Sequence, residues 1–188
     1  MTFRLIAFLT VSATAVLAAD APAAPAFDLK AAEAYCTSTG GLVEERVPVY
    51  GTNGGSSSWL WLSGGAEFCQ YTSSTDGSRI HVVLTTLYTT KPTLAVLAYY
   101  NPPPYTGGNG APGSLYCSQL GGTDLFGGIN AAGGAWVSVG GIDRLLDNCM
   151  FPDGSQIDSY GLFYKSDGII RGIDLGTVLL YPNPDTKK

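Results

Sequence analysis

Four cysteines, each set in a recurring stretch of sequence, place the strongest constraint on how this chain can fold. The first two are 33 residues apart and the last two are 32 residues apart. AYCTSTGG at 34–41 matches LYCSQLGG at 115–122, with the Tyr, the Cys and the Gly pair aligned. FCQYTSSTDGSRI at 68–80 likewise matches NCMFPDGSQI at 148–157, with three more residues before Asp-Gly-Ser in the first segment. This pattern predicts two diverged copies of one unit.

The repeat divides the chain into two units, 28–100 and 114–188, joined by the Pro- and Gly-rich linker 101–113. Each unit opens with a segment of helical spacing, for which Asp28 and Ser114 are the predicted N-caps. The Gly pair that follows predicts the end of the helix, because glycine tolerates the left-handed backbone found there. Strand-forming runs come next. We therefore predict an α+β fold of two related units, each a short helix plus antiparallel strands, stabilised by disulfides.

The strand predictions rest on alternation and on β-branched or aromatic content. In LVEERVPVY, Pro48 favours an edge strand, because proline has no N–H to donate to a neighbour. SWLWL and AWVSV are also predicted as strands, as are the segments through Cys69 and Cys149. Five further segments are predicted as strands, with a helix left open for the first of them: RIHVVLTTLY, QIDSYGLFY, TLAVLAYY, GIIRGIDL and TVLLY.

The four cysteines can form two disulfides in three ways. The repeat selects Cys36–Cys69 and Cys117–Cys149, because each bond then ties the helix of a unit to one of its own strands. Closing a loop of about 34 residues removes about 3–4 kcal/mol of unfolded-state freedom. A metal site is the alternative, but the chain has one histidine and no Cys-x-x-Cys pair. We predict structural disulfides, with no metal ligands and no cofactor.

The first 18 residues, MTFRLIAFLTVSATAVLA, have the layout of a secretory signal peptide. One positive charge precedes an uncharged apolar run, and small residues stand before a cleavage site after Ala18. A membrane anchor is the alternative, although the apolar run is short for a span. Residues 19–27, ADAPAAPAF, are predicted to be an Ala/Pro-rich lead-in. We expect an extracellular, secreted protein without stable membrane insertion.

The charge pattern narrows the class of partner. The net charge is −5, and the only adjacent basic residues are the final two lysines. Nucleic-acid binding depends on a cationic surface that releases counterions, so we predict no nucleic-acid partner. An extracellular protein or a glycan is the expected partner.

The matched segments resemble a small cysteine-containing domain of unknown function found in bacterial hemolysin-like proteins and periplasmic lipoproteins. That pattern is Tyr-Cys, a Gly pair, then Cys-x-Phe-Pro-Asp-Gly-Ser. The first unit lacks the Phe-Pro, and both units lack the extra cysteine pair that is usual in the family. The resemblance implies a fold and an exported location. The second unit matches at Tyr116, Cys117, Gly121, Gly122, Cys149, Phe151, Pro152, Asp153, Gly154 and Ser155, and the first at Tyr35, Cys36, Gly40, Gly41, Cys69, Asp76, Gly77 and Ser78.

The FPDGS segment at 151–155 predicts a tight turn. Proline fixes φ, glycine allows a positive φ, and the Asp and Ser side chains can bond nearby amides. A calcium loop is the alternative, but it needs alternating oxygen ligands and a distal Glu, which this segment lacks. His81 could in principle join a Ser/His/Asp triad, yet no Gly-x-Ser-x-Gly motif is present. We predict no catalytic residue.

Aromatic residues offer the one candidate binding surface. Trp59 and Trp61 lie two apart, which places them on one face of a strand, and YYNPPPY at 99–105 adds further rings. Such surfaces bind sugars or proteins. The alternative is that the second unit packs on the Trp face. The predicted function is a secreted non-catalytic binding protein. The alternatives are a carbohydrate-binding or carbohydrate-active protein and, second, a membrane-active hemolysin-like protein. The candidate surface comprises Trp59, Trp61, Tyr99, Tyr100 and Tyr105.

Overall fold

The computed structural model describes residues 26–124, 132–138 and 145–187, so the predicted signal peptide lies outside the described residues. Helices and one seven-stranded antiparallel sheet make up the fold, which confirms the α+β prediction. The helices are α1 Leu29–Ser38, α2 Leu84–Leu87, α3 Leu94–Tyr100, α4 Pro112–Gln119 and α5 Ser159–Ser166. The strands are β1 Leu42–Tyr50, β2 Leu60–Trp61, β3 Ala66–Thr72, β4 Arg79–Val83, β5 Gly134–Ser138, β6 Asn148–Met150 and β7 Gln156–Asp158.

The two ends of the sheet meet. The strand order runs β5-β1-β3-β4-β7-β6. The short β2 pairs with the end of β1, on the same side of β1 as β3. Leu146, two residues before β6, exchanges both backbone hydrogen bonds with Trp136 of β5, at 3.0 and 2.9 Å. Inside the ring, Phe68, Val83, Trp136 and Leu146 form a small apolar cluster. The larger core lies on the other face, between the sheet and the helices.

Pro48 does not lie on an edge strand, so that prediction is wrong. β1 has partners on both sides, and Pro48 is paired with Trp136 of β5. The Pro48 carbonyl accepts from the Leu62 N–H at 2.9 Å, so the missing N–H faces the irregular segment 62–65 between β2 and β3. Proline is tolerated inside a sheet where the neighbouring strand departs from the ladder.

Several predicted strands are helical. TLAVLAYY forms α3, whose N-cap Thr93 accepts from the Val96 N–H, and buried residues recur at helical spacing in Ala95, Val96 and Tyr99. RIHVVLTTLY and QIDSYGLFY each begin as a strand and turn into α2 and α5. GIIRGIDL and TVLLY contain only a 3-10 turn. Short apolar runs fit a buried helix as well as a strand, and tertiary packing decides between the two.

The predicted helix starts are half right. Asp28 caps α1, and its carboxylate accepts from the Ala31 N–H at 3.1 Å. Ser114 is not an N-cap, because α4 begins two residues earlier, at Pro112, with Ala111 as its N-cap. The Ser114 hydroxyl instead donates to the buried Asp124 carboxylate at 2.9 Å. Proline at the first helical position is favourable because its ring presets the helical φ.

Both predicted disulfides are confirmed. Cys36–Cys69 joins α1 to β3, and Cys117–Cys149 joins α4 to β6. In each pair the glycine five residues after the first cysteine donates its N–H to that cysteine's carbonyl at 2.9 Å. The helix ends in a tight turn at this hydrogen bond, so the backbone of the glycine lies against the disulfide. No room is left there for a side chain.

The Asp-Gly-Ser turns are also alike. In each turn the Asp carboxylate accepts from the N–H and the hydroxyl of the Ser two residues on. The Ser78 hydroxyl accepts from the Gly172 N–H, and the Ser155 hydroxyl accepts from the Ala95 N–H, both at 3.0 Å. The turn in each half of the chain therefore holds a segment of the other half. The origin of the halves as copies of one unit stays a prediction.

Candidate functional site

A row of buried polar side chains crosses the middle of the sheet. Gln70 of β3 lies directly opposite His81 of β4, and Asn148 of β6 lies opposite Asp158 of β7. Because Val82 pairs with Ile157, His81 is the neighbour of Asp158 across the β4–β7 seam. The His81 Nδ1 and Asp158 Oδ2 atoms are 3.3 Å apart, and both residues are at least 95% buried. His81 and Asp158 occupy the same place after Asp-Gly-Ser in the two halves.

Arg46 extends this row from β1 and is fully buried. Its Nε donates to Glu44 Oε1 at 2.5 Å, and its Nη1 donates to the Trp136 carbonyl at 3.2 Å. Its Nη2 lies 3.1 Å from His81 Nε2. A buried guanidinium is tolerated when its charge is paired and its N–H groups have acceptors, which the Glu44 carboxylate and the Trp136 carbonyl supply here. The sheet is therefore held at its centre by an ionic network of Glu44, Arg46, His81 and Asp158, called here the central polar network.

The contacts of His81 favour a structural role. Its Nδ1 faces Asp158, while its Nε2 lies 3.2 Å from Glu44 Oε1 and 3.3 Å from Gln70 Oε1. Burial on its own would lower the pKa of His81, but the hydrogen bonds to Asp158 and Glu44 outweigh burial and raise it. A general base in a hydrolase must instead present one nitrogen to its nucleophile. Both ring nitrogens here contact side chains that are not nucleophiles, which does not favour the triad alternative.

A polar cleft of about 300 Å³ opens beside the network. The cleft carries both signs of charge, from two arginines and two aspartates, and these lie next to the ring of a tyrosine. The Arg171 guanidinium lies 5.3 Å from the centre of the Tyr164 ring, an arrangement that holds its head group in place. The residues that line the polar cleft are Arg79, His81, Leu145, Leu146, Asp147, Asp158, Tyr160 and Arg171.

The carboxyl group of Asp147 lies in this cleft and has a raised pKa. Burial raises its pKa to about 6, and the nearby charges of Asp124 and Asp158 act in the same direction. Among the described residues its side chain has no hydrogen-bond partner, whereas Asp124 accepts from Ser114 and Ser159 and Asp158 caps α5. Such a carboxyl group is a candidate for binding a ligand.

The raised pKa of Asp147 predicts a pH-dependent stability. The unfolded state releases this proton near pH 3.9, whereas the folded state keeps it until about pH 6. The free energy of unfolding should therefore fall as pH rises from about 4 to about 6. Asp147→Asn should raise that free energy at pH 7 by about 1–2 kcal/mol, since solvent screens part of the effect at a half-buried group. At pH 3.5 it should change little. Urea unfolding at both pH values checks this, and an equal effect at both would contradict it.

The predicted aromatic surface is not one surface. Tyr99 is 1% exposed, and its hydroxyl donates to Asp174, so its assignment to a binding surface is wrong. Tyr100 and Tyr105 are half-buried, and Tyr105 packs edge-on against Phe163. Trp61 is 49% exposed, and its neighbour Leu60 is 59% exposed. A role for Trp59 and Trp61 in binding stays a prediction.

The FPDGS segment is a turn. Gly154 has φ of +81°, its N–H donates to the Phe151 carbonyl, and the Phe151 N–H donates to the Ser155 carbonyl. Across 26–124, 132–138 and 145–187, no group of three or more His, Cys, Asp or Glu side chains is arranged to hold a metal ion. In the same part of the chain, none of the helices has the length and apolar character needed to cross a membrane.

The comparisons with known proteins found no family model, curated protein or solved structure that matches this chain. The resemblance to the hemolysin-like domain therefore stays a prediction.

Arg46, Asp147 and Asp158 are site residues that were not predicted from the sequence. One signal was available for Arg46. Glu44 and Arg46 are two residues apart in a predicted strand, which places two opposite charges on one face. Asp147 carried no such signal, because its surroundings come from distant segments of the chain.

Proposed function

We propose that this chain is an exported, non-catalytic binding protein whose ligand site is the polar cleft beside the central polar network. The cleft itself carries the proposal, because it combines two arginines, an aromatic ring and a carboxyl group that has no hydrogen-bond partner among the described residues. Export is supported by the two disulfides, since such bonds persist in oxidising compartments. An extracellular protein or a glycan is the expected class of partner.

The cleft chemistry favours a small acidic carbohydrate. Guanidinium groups such as that of Arg171 bind carboxylates in the plane of their N–H donors. The carboxyl group of Asp147 can bond sugar hydroxyls, and the ring of Tyr160 offers an apolar face to a pyranose. A neutral sugar has no carboxylate for the Arg171 guanidinium to bind, so we expect preference for a uronic acid over the corresponding neutral sugar.

Calorimetric titration of the secreted chain with glucuronic acid and with glucose tests this proposal. We expect glucuronic acid to bind at least tenfold more tightly, and Arg171→Gln to weaken its binding at least tenfold. Lys91→Gln is the matched control, because it removes the same charge from an exposed site that does not line the cleft. Equal binding of both sugars, no binding of either, or equal effects of the two variants would overturn it.

A further inference from the structure

A second cleft differs from the polar one because its lining is mainly apolar. Its volume is about 410 Å³, and it lies between the start of α1 and the β4–α2 corner. Phe27 and Leu29 are 43% and 41% exposed on its α1 side, while Val83 and Leu84 are buried on its sheet side. Its lining residues are Phe27, Leu29, Glu45, Gly65, Ala66, Glu67, Val83, Leu84, Thr85 and Gln156.

Two of the chain's four glutamates line this cleft, and a third contacts one of them. Glu45 and Glu67 line it and face each other directly across the β1–β3 ladder. Like charges in that arrangement repel. Glu33 follows Leu29 by one helical turn on α1 and contacts Glu67. Burial raises the pKa of Glu67, and the contacts with Glu33 and Glu45 raise it further.

This negative charge has no cation matched to it in the part of the chain that the structure describes. The ion pairs described there join Glu44, Arg46, His81 and Asp158, or Lys165 and Asp174. One oxygen of Glu67, Oε2, is buried without any hydrogen-bond partner among the described residues. A buried carboxylate oxygen without a donor costs free energy, which a donor carried by a ligand would recover.

We propose that this cleft binds a small amphipathic amine, with the hydrocarbon part against Phe27, Leu29 and Leu84 and the ammonium group between Glu45 and Glu67. The apolar walls alone would accept any hydrocarbon of suitable size. The carboxylates select a cation, and the three donors of a primary ammonium group can satisfy Glu67 Oε2 and Glu45 together. The site does not depend on the ligand proposed for the polar cleft, so either proposal can fail alone.

Calorimetric titration of the secreted chain with hexylamine and with hexan-1-ol tests the proposal, because the two probes share the hydrocarbon and differ in the charge. We expect hexylamine to bind at least tenfold more tightly than hexanol. Glu67→Gln should remove most of that preference while leaving the binding of hexanol unchanged. It should also fold, since it relieves repulsion with Glu33 and Glu45.

Asp185→Asn is the matched control, because it removes one negative charge from an exposed residue outside the cleft. It should leave the binding of hexylamine unchanged within about twofold, as expected for a screened distant charge. The proposal is overturned if neither probe binds, if the amine binds no better than the alcohol, or if Glu67→Gln and Asp185→Asn have equal effects. Glu45→Gln is a second test, at an exposed residue of the cleft. An unchanged preference of this variant for hexylamine over hexanol would also contradict the proposal.

Discussion

Gly41→Ala is expected to destabilise the protein by about 3 kcal/mol, although it adds a single methyl group. A Cβ atom at this position would overlap Cys69 Sγ, and it would lie 2.8 Å from Cys36 Sγ and 3.0 Å from Tyr71 Cε1. The disulfide and the buried tyrosine cannot move away without shifting α1 or β3. Chemical denaturation of the oxidised protein measures the cost.

The neighbouring Gly40 is the matched control for this prediction. It has φ of +86°, and a Cβ there would meet nothing within 4 Å. Gly40→Ala should therefore cost only the backbone strain, about 1 kcal/mol. In a Cys36→Ala, Cys69→Ala background the sulfur atoms are gone, so the cost of Gly41→Ala should fall to about 1 kcal/mol. An unchanged cost there would show that the disulfide is not the obstacle. Gly122→Ala should repeat the effect at the second disulfide, where a Cβ would lie 2.5 Å from Cys149 Sγ.

Arg46→Met is expected to cost about 3–5 kcal/mol, the range found when one partner of a buried ion pair is removed. Methionine has a long unbranched side chain that can fill the space of the Arg46 side chain, so packing is largely kept. The Glu44 carboxylate, whose side chain is 8% exposed, then loses its strongest partner. Thermal or urea unfolding at pH 7 measures the loss.

The double variant Arg46→Met, Glu44→Gln distinguishes an ionic cause from a packing cause. Removing both charges should recover at least half of the lost stability, because no unpaired carboxylate remains buried. Arg171→Met is the control, since it removes an arginine that lies outside the network, and it should cost under about 1 kcal/mol. A double variant no more stable than Arg46→Met alone would show that shape, not charge, makes Arg46 necessary.

Part of this fold could be predicted because the relevant forces are local. The cysteine spacing fixed the disulfide pairing once the recurrence around it was recognised. Asp28 caps a helix, and FPDGS forms a turn, because each depends on bonds between residues two or three apart. The helix ends after Cys36 and Cys117 follow from glycine in the same way.

The site could not be predicted, because it depends on which strands become neighbours. His81 and Asp158 are 77 residues apart, and they meet only because β4 pairs with β7. Arg46 comes from a third strand, β1, and the carboxylates near Asp147 belong to Asp124 and Asp158 in separate segments. Packing likewise decided that α2 and α3 are helices and not strands, since short apolar runs suit either state.

The sequence by itself determined the covalent frame, the turns and the alternation that builds an α+β chain. Only the tertiary structure decided the strand order, the closing of the sheet and the two clefts. The physical reason is range, because capping, turn and disulfide preferences act within one segment. Burial of charge and the shape of a cleft arise from contacts between segments that no local pattern connects.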